Sequence, residues 1–262
     1  DIPMILVCGA LHLDVIVTAP RLPRLDETVT GQAVRQAFGG KGGNQALAAA
    51  RMGATVAMAG RVGSDSFAGT LLAALDAAGI DRSQVQADNG PSGMSVAILD
   101  ASGSYGAVIV SAANLAIDAA RITLPPATTH LLLQNEIPEA VNIAAARQAC
   151  AVGAKVILNA APARAIPPDL LALTDLLVVN RVEAEDLTAG ATPPEAAATL
   201  AARGPAAVIV TLGAEGLILW DGALHCAPAR PVRVASTHGA GDAFIGALAA
   251  EAARGAGLRE AA

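Results

Sequence analysis

The sequence predicts an α/β fold: a mostly parallel central sheet with helices on both faces. Short apolar runs of strand length alternate along the chain with alanine-rich runs of helical length. A chain of 262 residues with 53% hydrophobic content also has enough apolar surface for a core of that size. Two stretches break the alternation and point to a small second sheet beside the main one.

Asp1–Val7 enters the first core strand, whose apolar run is Ile5–Cys8. Gly42–Arg51 reads as a helix and Thr55–Ala59 as a strand. Ser64 is placed to cap a helix that runs through Ala78 and stops at Gly79. Leu131–Gln134 is a strand, and Pro138–Cys150 a helix opened by proline. Lys155–Asn159 and Leu176–Val179 are strands, Glu195–Ala202 a helix and Ala207–Leu212 a strand. Ligands of such a sheet bind at the C-terminal ends of its strands. The stretches that break the rhythm are Glu27–Phe38, with alternating polar and apolar residues, and Ser95–Ser111, two short strands joined near Ala101–Gly103. They read either as a plain surface hairpin or as a small antiparallel sheet, a lid made by segments at about 12–38 and 95–111 inserted in one domain.

Composition narrows the function. Aromatics are only 2% and mean hydropathy is +0.50, yet the apolar runs stay short of a membrane span. His12 and Asp14 interrupt the first, and Glu215 interrupts Val208–Trp220. No basic region precedes a cleavage site of small residues. Net charge is −6 with no Lys/Arg block, which argues against nucleic acid as a partner. Cys8, Cys150 and Cys226 fit neither a zinc spacing nor a disulfide framework. They read as buried, reduced thiols of a cytoplasmic protein.

The most informative stretch is Ser236–Phe244, a small-residue turn that runs into the helical stretch Ile245–Ala253. A helix N-terminus presents unpaired N–H groups and a positive dipole end, and glycines let a ligand approach the backbone. That suits a phosphoryl group gaining negative charge. Asp242, in the first turn, would repel phosphate but is well placed to accept a proton from an attacking hydroxyl. It could equally serve as a helix cap. A second glycine cluster, Phe38–Gln45, also opens a helix. It lacks the Gly-Lys-Ser/Thr of a Walker A loop, and Gln45 stands where a dinucleotide fingerprint has its last glycine. Lys41 and Asn44 are its candidate donors to substrate hydroxyls, and a tight strand-to-helix turn is the alternative.

Together the two clusters resemble the paired signatures of the ribokinase-like (PfkB) carbohydrate kinase family. The first is Gly39–Gln45 followed by Ala46–Ala54, and the second is Ser236–Asp242 with Gly246 and Ala247. Glu27–Gly31, Asn159–Arg164, Asn180–Glu185 and Thr211–Gly216 resemble further family segments, so the similarity spans the chain. It implies a three-layer α/β/α sandwich with a small β-sheet lid and an ATP-dependent phosphotransferase acting on the primary hydroxyl of a small sugar. D-ribose is the first expectation. Another sugar, a sugar acid or a nucleoside is the alternative, and a non-catalytic sugar- or nucleotide-binding protein is the alternative of another class.

By the same resemblance Asp242 is the base, while Gly239, Ala240 and Gly241 stabilise the transferring phosphoryl group through their N–H groups. His12, Asp14, Gly40, Lys41, Asn44 and Glu136 form the sugar site. Asn180, Thr211, Gly213 and Gly216 serve the nucleotide, and Glu183 helps to hold Mg²⁺ through water. Family members often dimerise through the lid sheet, so a homodimer is expected.

The sequence departs from the family pattern in three places. His12 stands where relatives usually carry asparagine, and imidazole does not offer the amide's donor–acceptor pair. Ser236 replaces an aspartate that helps to hold a monovalent cation, which weighs against K⁺ as a further cofactor. The family pattern continues with a further helix and loop that help to form the adenine pocket, and by the resemblance these elements are expected to be missing after residue 262.

Overall fold

The computed structural model of the chain describes residues 2–233 and 239–262. Strand β1 is Met4–Cys8, β2 His12–Ala19 and β3 Ala33–Gly39; helix α1, Lys41–Arg51, follows. Next come β4 Thr55–Val62, α2 Ser66–Ala77, β5 Asp81–Ala87, β6 Gly93–Asp100 and β7 Tyr105–Val110. The middle of the chain forms β8 Thr128–Gln134, α3 Glu139–Val152, β9 Lys155–Asn159, α4 Pro168–Ala172, β10 Leu176–Asn180, α5 Arg181–Leu187 and α6 Pro193–Ala201. The last elements are β11 Ala207–Thr211, β12 Leu217–Trp220, β13 Leu224–Ala227, α7 Ala240–Ala253 and α8 Leu258–Ala261.

The main sheet has the order β13-β12-β11-β10-β9-β8-β1-β4-β5. It is parallel from β11 through β5, and β12 and β13 add an antiparallel edge. The alternation of side chains along β1 shows why both faces must be covered. Leu6 and Cys8 pack with α3, α4 and α6 on one face; Ile5 and Val7 pack with α1, α2 and α7 on the other. The predicted three layers are present.

The smaller sheet has the order β3-β2-β6-β7. Its outer pairs are antiparallel, whereas the sequence reading did not foresee that its central pair, β2 with β6, is parallel. His12 lies opposite Gly93, so both strands leave the body of the protein at the same level and in the same direction. Of the Glu27–Phe38 stretch only residues 33–38 are strand, as part of β3. Glu27 instead closes a loop, its carboxylate accepting from the Arg21 guanidinium and from the Arg24 N–H at 2.9 Å.

Two local expectations are corrected. Asp65, not Ser64, caps α2: its Oδ1 accepts from the Ala68 N–H at 3.0 Å, the bond that a cap makes to the third helical residue. Cys8 is buried, and burial pushes its thiol up to about 12. Cys150 and Cys226 are exposed, because they fall on the outer side of α3 and on the edge strand β13. Among the described residues, no helix is long and apolar enough to cross a membrane.

Candidate active site

The site lies where α1 and α7 cross, at the C-terminal end of the parallel strands. A Cβ on Gly246 would stand 2.5 Å from Ala48 Cβ and 2.7 Å from Gln45 O, so only glycine lets the helices approach this closely. The start of α1 is equally tight. Gly40 has φ +86°, and a Cβ on Gly42 would meet the Gly9 backbone at 2.7 Å. These approaches seat the first glycine cluster on the β1–β2 connection and bring it to the second.

Asp242 is buried, 7% exposed, in the first turn of α7. Asn44 Nδ2 donates to its Oδ2 at 3.3 Å, and Gln45 Nε2 to its Oδ1 at 3.0 Å. Gly239, the residue that caps the start of the helix, has φ +72°. Among the described residues, nothing lies within 4 Å of where a Cβ on Gly239 or Gly241 would be. The first N–H groups of a helix have no intrahelical partner. Gly239, Ala240 and Gly241 therefore offer donors beside a buried carboxylate. Ser236, Thr237 and His238 of the same motif lie outside the described residues, and with them the residue on which the K⁺ expectation turned.

The sugar-site candidates fall into two groups. Asp14 Oδ1 accepts from Ser95 Oγ at 2.6 Å, across the paired strands β2 and β6. A Cβ on Gly39 would overlap the Asp14 carboxylate, so that glycine makes room for it. Glu136 Oε2 accepts from the Lys41 N–H at 2.7 Å, a carboxylate at the positive end of α1. His12 and Glu136 line a cavity of about 240 Å³ with Ile109, Asn135 and Arg164; Asp14, Gly40, Lys41 and Asn44 do not line it. His12 is 3% exposed and its Nε2 has no hydrogen-bond partner among the described residues. A buried imidazole nitrogen beside a cavity is a group that a ligand hydroxyl can satisfy.

Asn180 and Glu183 form a capping box at the start of α5. Each side chain accepts from the other's backbone N–H at 2.8 Å. Burial pushes the Glu183 carboxyl above the usual carboxylate range. The Asn180 N–H and the charge of Lys41 oppose the shift, while Asp186 and Asp242 add to it. Lys41, Glu183 and Asp242 thus share one electrostatic neighbourhood. Thr211 ends β11, its Oγ1 donating to Val179 O at 3.4 Å. Gly213 has open space around it, whereas a Cβ on Gly216 would meet Ala227 O at 2.0 Å, so packing of the β11–β12 turn explains that glycine.

Sequence reasoning assigned no role to a row of buried amides behind Asp242. Gln134 Nε2 donates to Gln45 Oε1 at 2.7 Å, and Gln45 Nε2 also reaches Asn159 Oδ1 at 3.2 Å. Gln134 and Asn159 close the apolar strands β8 and β9 at the end where ligands bind, a signal readable in the sequence. Asn114 was missed as well. It is fully buried and grips the backbone of Leu11, accepting from its N–H at 2.9 Å and donating to its carbonyl at 3.0 Å.

A three-layer sheet domain with a small second sheet, a buried aspartate in the opening turn of a helix and a glycine-walled helix crossing defines a sugar-kinase type of phosphotransferase. The family described as pfkB family carbohydrate kinase matches residues 3–262, and the chain belongs to it. It is 35% identical to a ribokinase of Haemophilus influenzae over 92% of this chain and 82% of that protein. It is 34% identical to a ribokinase of Mus musculus over 94% of this chain and 80% of that one. A solved structure of Arabidopsis thaliana ribokinase complexed with ribose and ATP superposes with a TM-score of 0.90 at 30% identity, covering 99% of this chain and 88% of that chain. The chain is an ATP-dependent carbohydrate kinase.

Proposed function

We propose that the chain transfers the γ-phosphoryl group of ATP to the primary hydroxyl of D-ribose, forming ribose 5-phosphate in the cytoplasm. The observation that carries the reading is Asp242: buried, held by two side-chain amides of α1, and next to the glycine turn that opens α7. The names of the relatives supply the sugar. Asp242 accepts the proton of the attacking hydroxyl. Backbone N–H groups of Gly239, Ala240 and Gly241 stabilise charge growing on the transferring group. Asp14, Asn44 and Glu136, with Gly40 and Lys41, hold the sugar, and Asn180, Thr211 and Gly213 face the nucleotide. The small sheet acts as a lid that excludes water from the reaction.

Mg²⁺ fits the donor set. Magnesium in such enzymes is held by one or two carboxylates with phosphates and water, and Glu183 is a buried carboxylate in the electrostatic neighbourhood of Asp242. Glu183 would hold it through water, and the ion would neutralise phosphate charge. Glu183→Gln keeps an oxygen for the cap but removes the charge. It should raise the Mg²⁺ concentration for half-maximal rate several-fold with little change in Tm; an unchanged requirement removes Glu183 from this role.

The assay that tests the function measures ADP release from MgATP with D-ribose, other pentoses, hexoses, sugar acids and nucleosides. Strong ribose-dependent release is expected. Release with another member of the panel and none with ribose would reassign the sugar, and His12 favours that second reading. His12→Ala should raise KM for the preferred sugar roughly tenfold, the loss of one hydrogen bond to a buried group, and leave KM for ATP unchanged. An unaltered sugar KM takes His12 out of the pocket's recognition.

A homodimer through the lid sheet is part of the proposal. Val15, Val17, Val34, Val96 and Val108 share one face of that sheet by register, opposite the face of Asp14, and Val34 and Val108 are both 67% exposed. A second copy of the chain is the occupant, as in other isologous pairs. Sedimentation should give a dimer at micromolar concentration, and a monomer alone would refute it.

A further inference from the structure

We propose that Gln45 is a positioning residue for the phosphoryl-transfer reaction: it ties down Oδ1 of Asp242 so that Oδ2, beside Asn44, is the oxygen that takes the substrate's proton. The inference rests on Asp242 being the base.

The orientation of the Gln45 amide follows from elementary chemistry. An ionised carboxylate only accepts hydrogen bonds, so the nitrogen of Gln45, and not its oxygen, must face Asp242. Its two N–H groups then have two acceptors, Asp242 Oδ1 at 3.0 Å and Asn159 Oδ1 at 3.2 Å. Asn159 can accept there because its own Nδ2 donates to Val178 O at 3.3 Å. The Gln45 oxygen points back and must be met by a donor, which is Gln134 Nε2 at 2.7 Å. That leaves Gln134 Oε1 facing Gly9, buried and without a hydrogen-bond partner among the described residues.

An orphaned buried acceptor normally costs stability. Here it is the end of a row in which Gln134 donates to Gln45 and Gln45 donates to Asp242. Reversing both glutamine amides would turn an oxygen toward the carboxylate. The row Gln134–Gln45–Asp242 therefore keeps its polarity because of the charge at its far end. Gln45 and Gln134 are both 0% exposed, so no rearrangement into solvent competes with this order. The Asn44 contact to Oδ2 is longer, 3.3 Å, and comes from a half-buried side chain. Oδ2 is thus the oxygen left to an incoming hydroxyl.

Two variants of near-constant volume test the proposal in the full chain, with MgATP and D-ribose or whichever sugar of the panel is turned over. Gln45→Met should lower kcat about thirtyfold or more and change KM for sugar less than threefold. Added to Asp242→Asn it should cause no further loss, because the group it positions is already gone. Gln134→Met removes the donor that orients Gln45 together with the orphaned acceptor. It should lower kcat about fivefold while Tm stays level or rises, opposite to what a packing role would give. A crystal structure of Gln45→Met, needing no substrate, should show the Asp242 carboxylate turned or in more than one orientation. A carboxylate in its original orientation, or kcat within threefold of the parent in both variants, overturns the proposal. Should Asp242→Asn itself retain turnover, the base assignment fails, and the carboxylate orientation in the crystal still decides whether Gln45 positions it.

Discussion

Asp242→Asn should lower kcat by about three orders of magnitude, the middle of the range for losing a positioned general base, and leave KM for the sugar within about threefold. Asparagine has the volume of aspartate and keeps one oxygen that can accept from Gln45 or Asn44, so the crossing of α1 and α7 is undisturbed. What it loses is the capacity to take a proton. The side chain is 7% exposed, too enclosed for bulk water to substitute freely as base. The check is steady-state kinetics with a sugar-binding measurement on the same sample. Turnover within tenfold of the parent would remove Asp242 from the base role, and lost sugar binding would make its contribution one of binding.

Gly246→Val should damage both fold and catalysis. Its Cβ would lie 2.5 Å from Ala48 Cβ, 2.7 Å from Gln45 O and 2.8 Å from Ala49 N. Two of those neighbours are main-chain atoms of α1, which cannot swing aside as a flexible side chain can. Relief requires the helices to separate, at an overpacking cost of about 1–3 kcal/mol. Tm should fall by roughly 3–10 °C. The same separation moves Asp242 away from Asn44 and Gln45, so kcat should fall at least tenfold in the protein that remains folded. Calorimetry and kinetics on one preparation check both. A full-rate enzyme with unchanged Tm would show that the crossing carries neither load.

The central parallel strands were legible because they carry short runs of Val, Ile and Leu buried on both faces, as in Leu176–Asn180 and Ala207–Thr211. Strand β2 was not. Its residues Asp14–Thr18 are half-buried, with valine on one face and the site on the other, so the run has no single polar side. β5 was missed because DRSQVQA carries little apolar signal; it is an edge strand tied through Gln84 and Gln86 to residues 118 and 123. In the site, glycine turns and charged residues stood out, and the structure brings Asn44 against Asp242. The roles of Gln45, Gln134 and Asn114 depend on partners 89 to 197 residues away, which no local pattern encodes.

The bond between Asn44 and Asp242 joins residues 198 positions apart. Ribosomes make the chain from its N-terminus, so the glycine turn at Gly40–Gly43 emerges long before α7. A partly synthesised chain can shape strands β1 to β5 and the start of α1 while it still lacks Asp242, the base proposed above. Contacts of such sequence separation form late, after most loop entropy has been lost. With Asp242 as the proposed base, nascent and half-folded molecules would be chemically silent, and ATP would be put at risk only by chains whose two halves have already closed on one another.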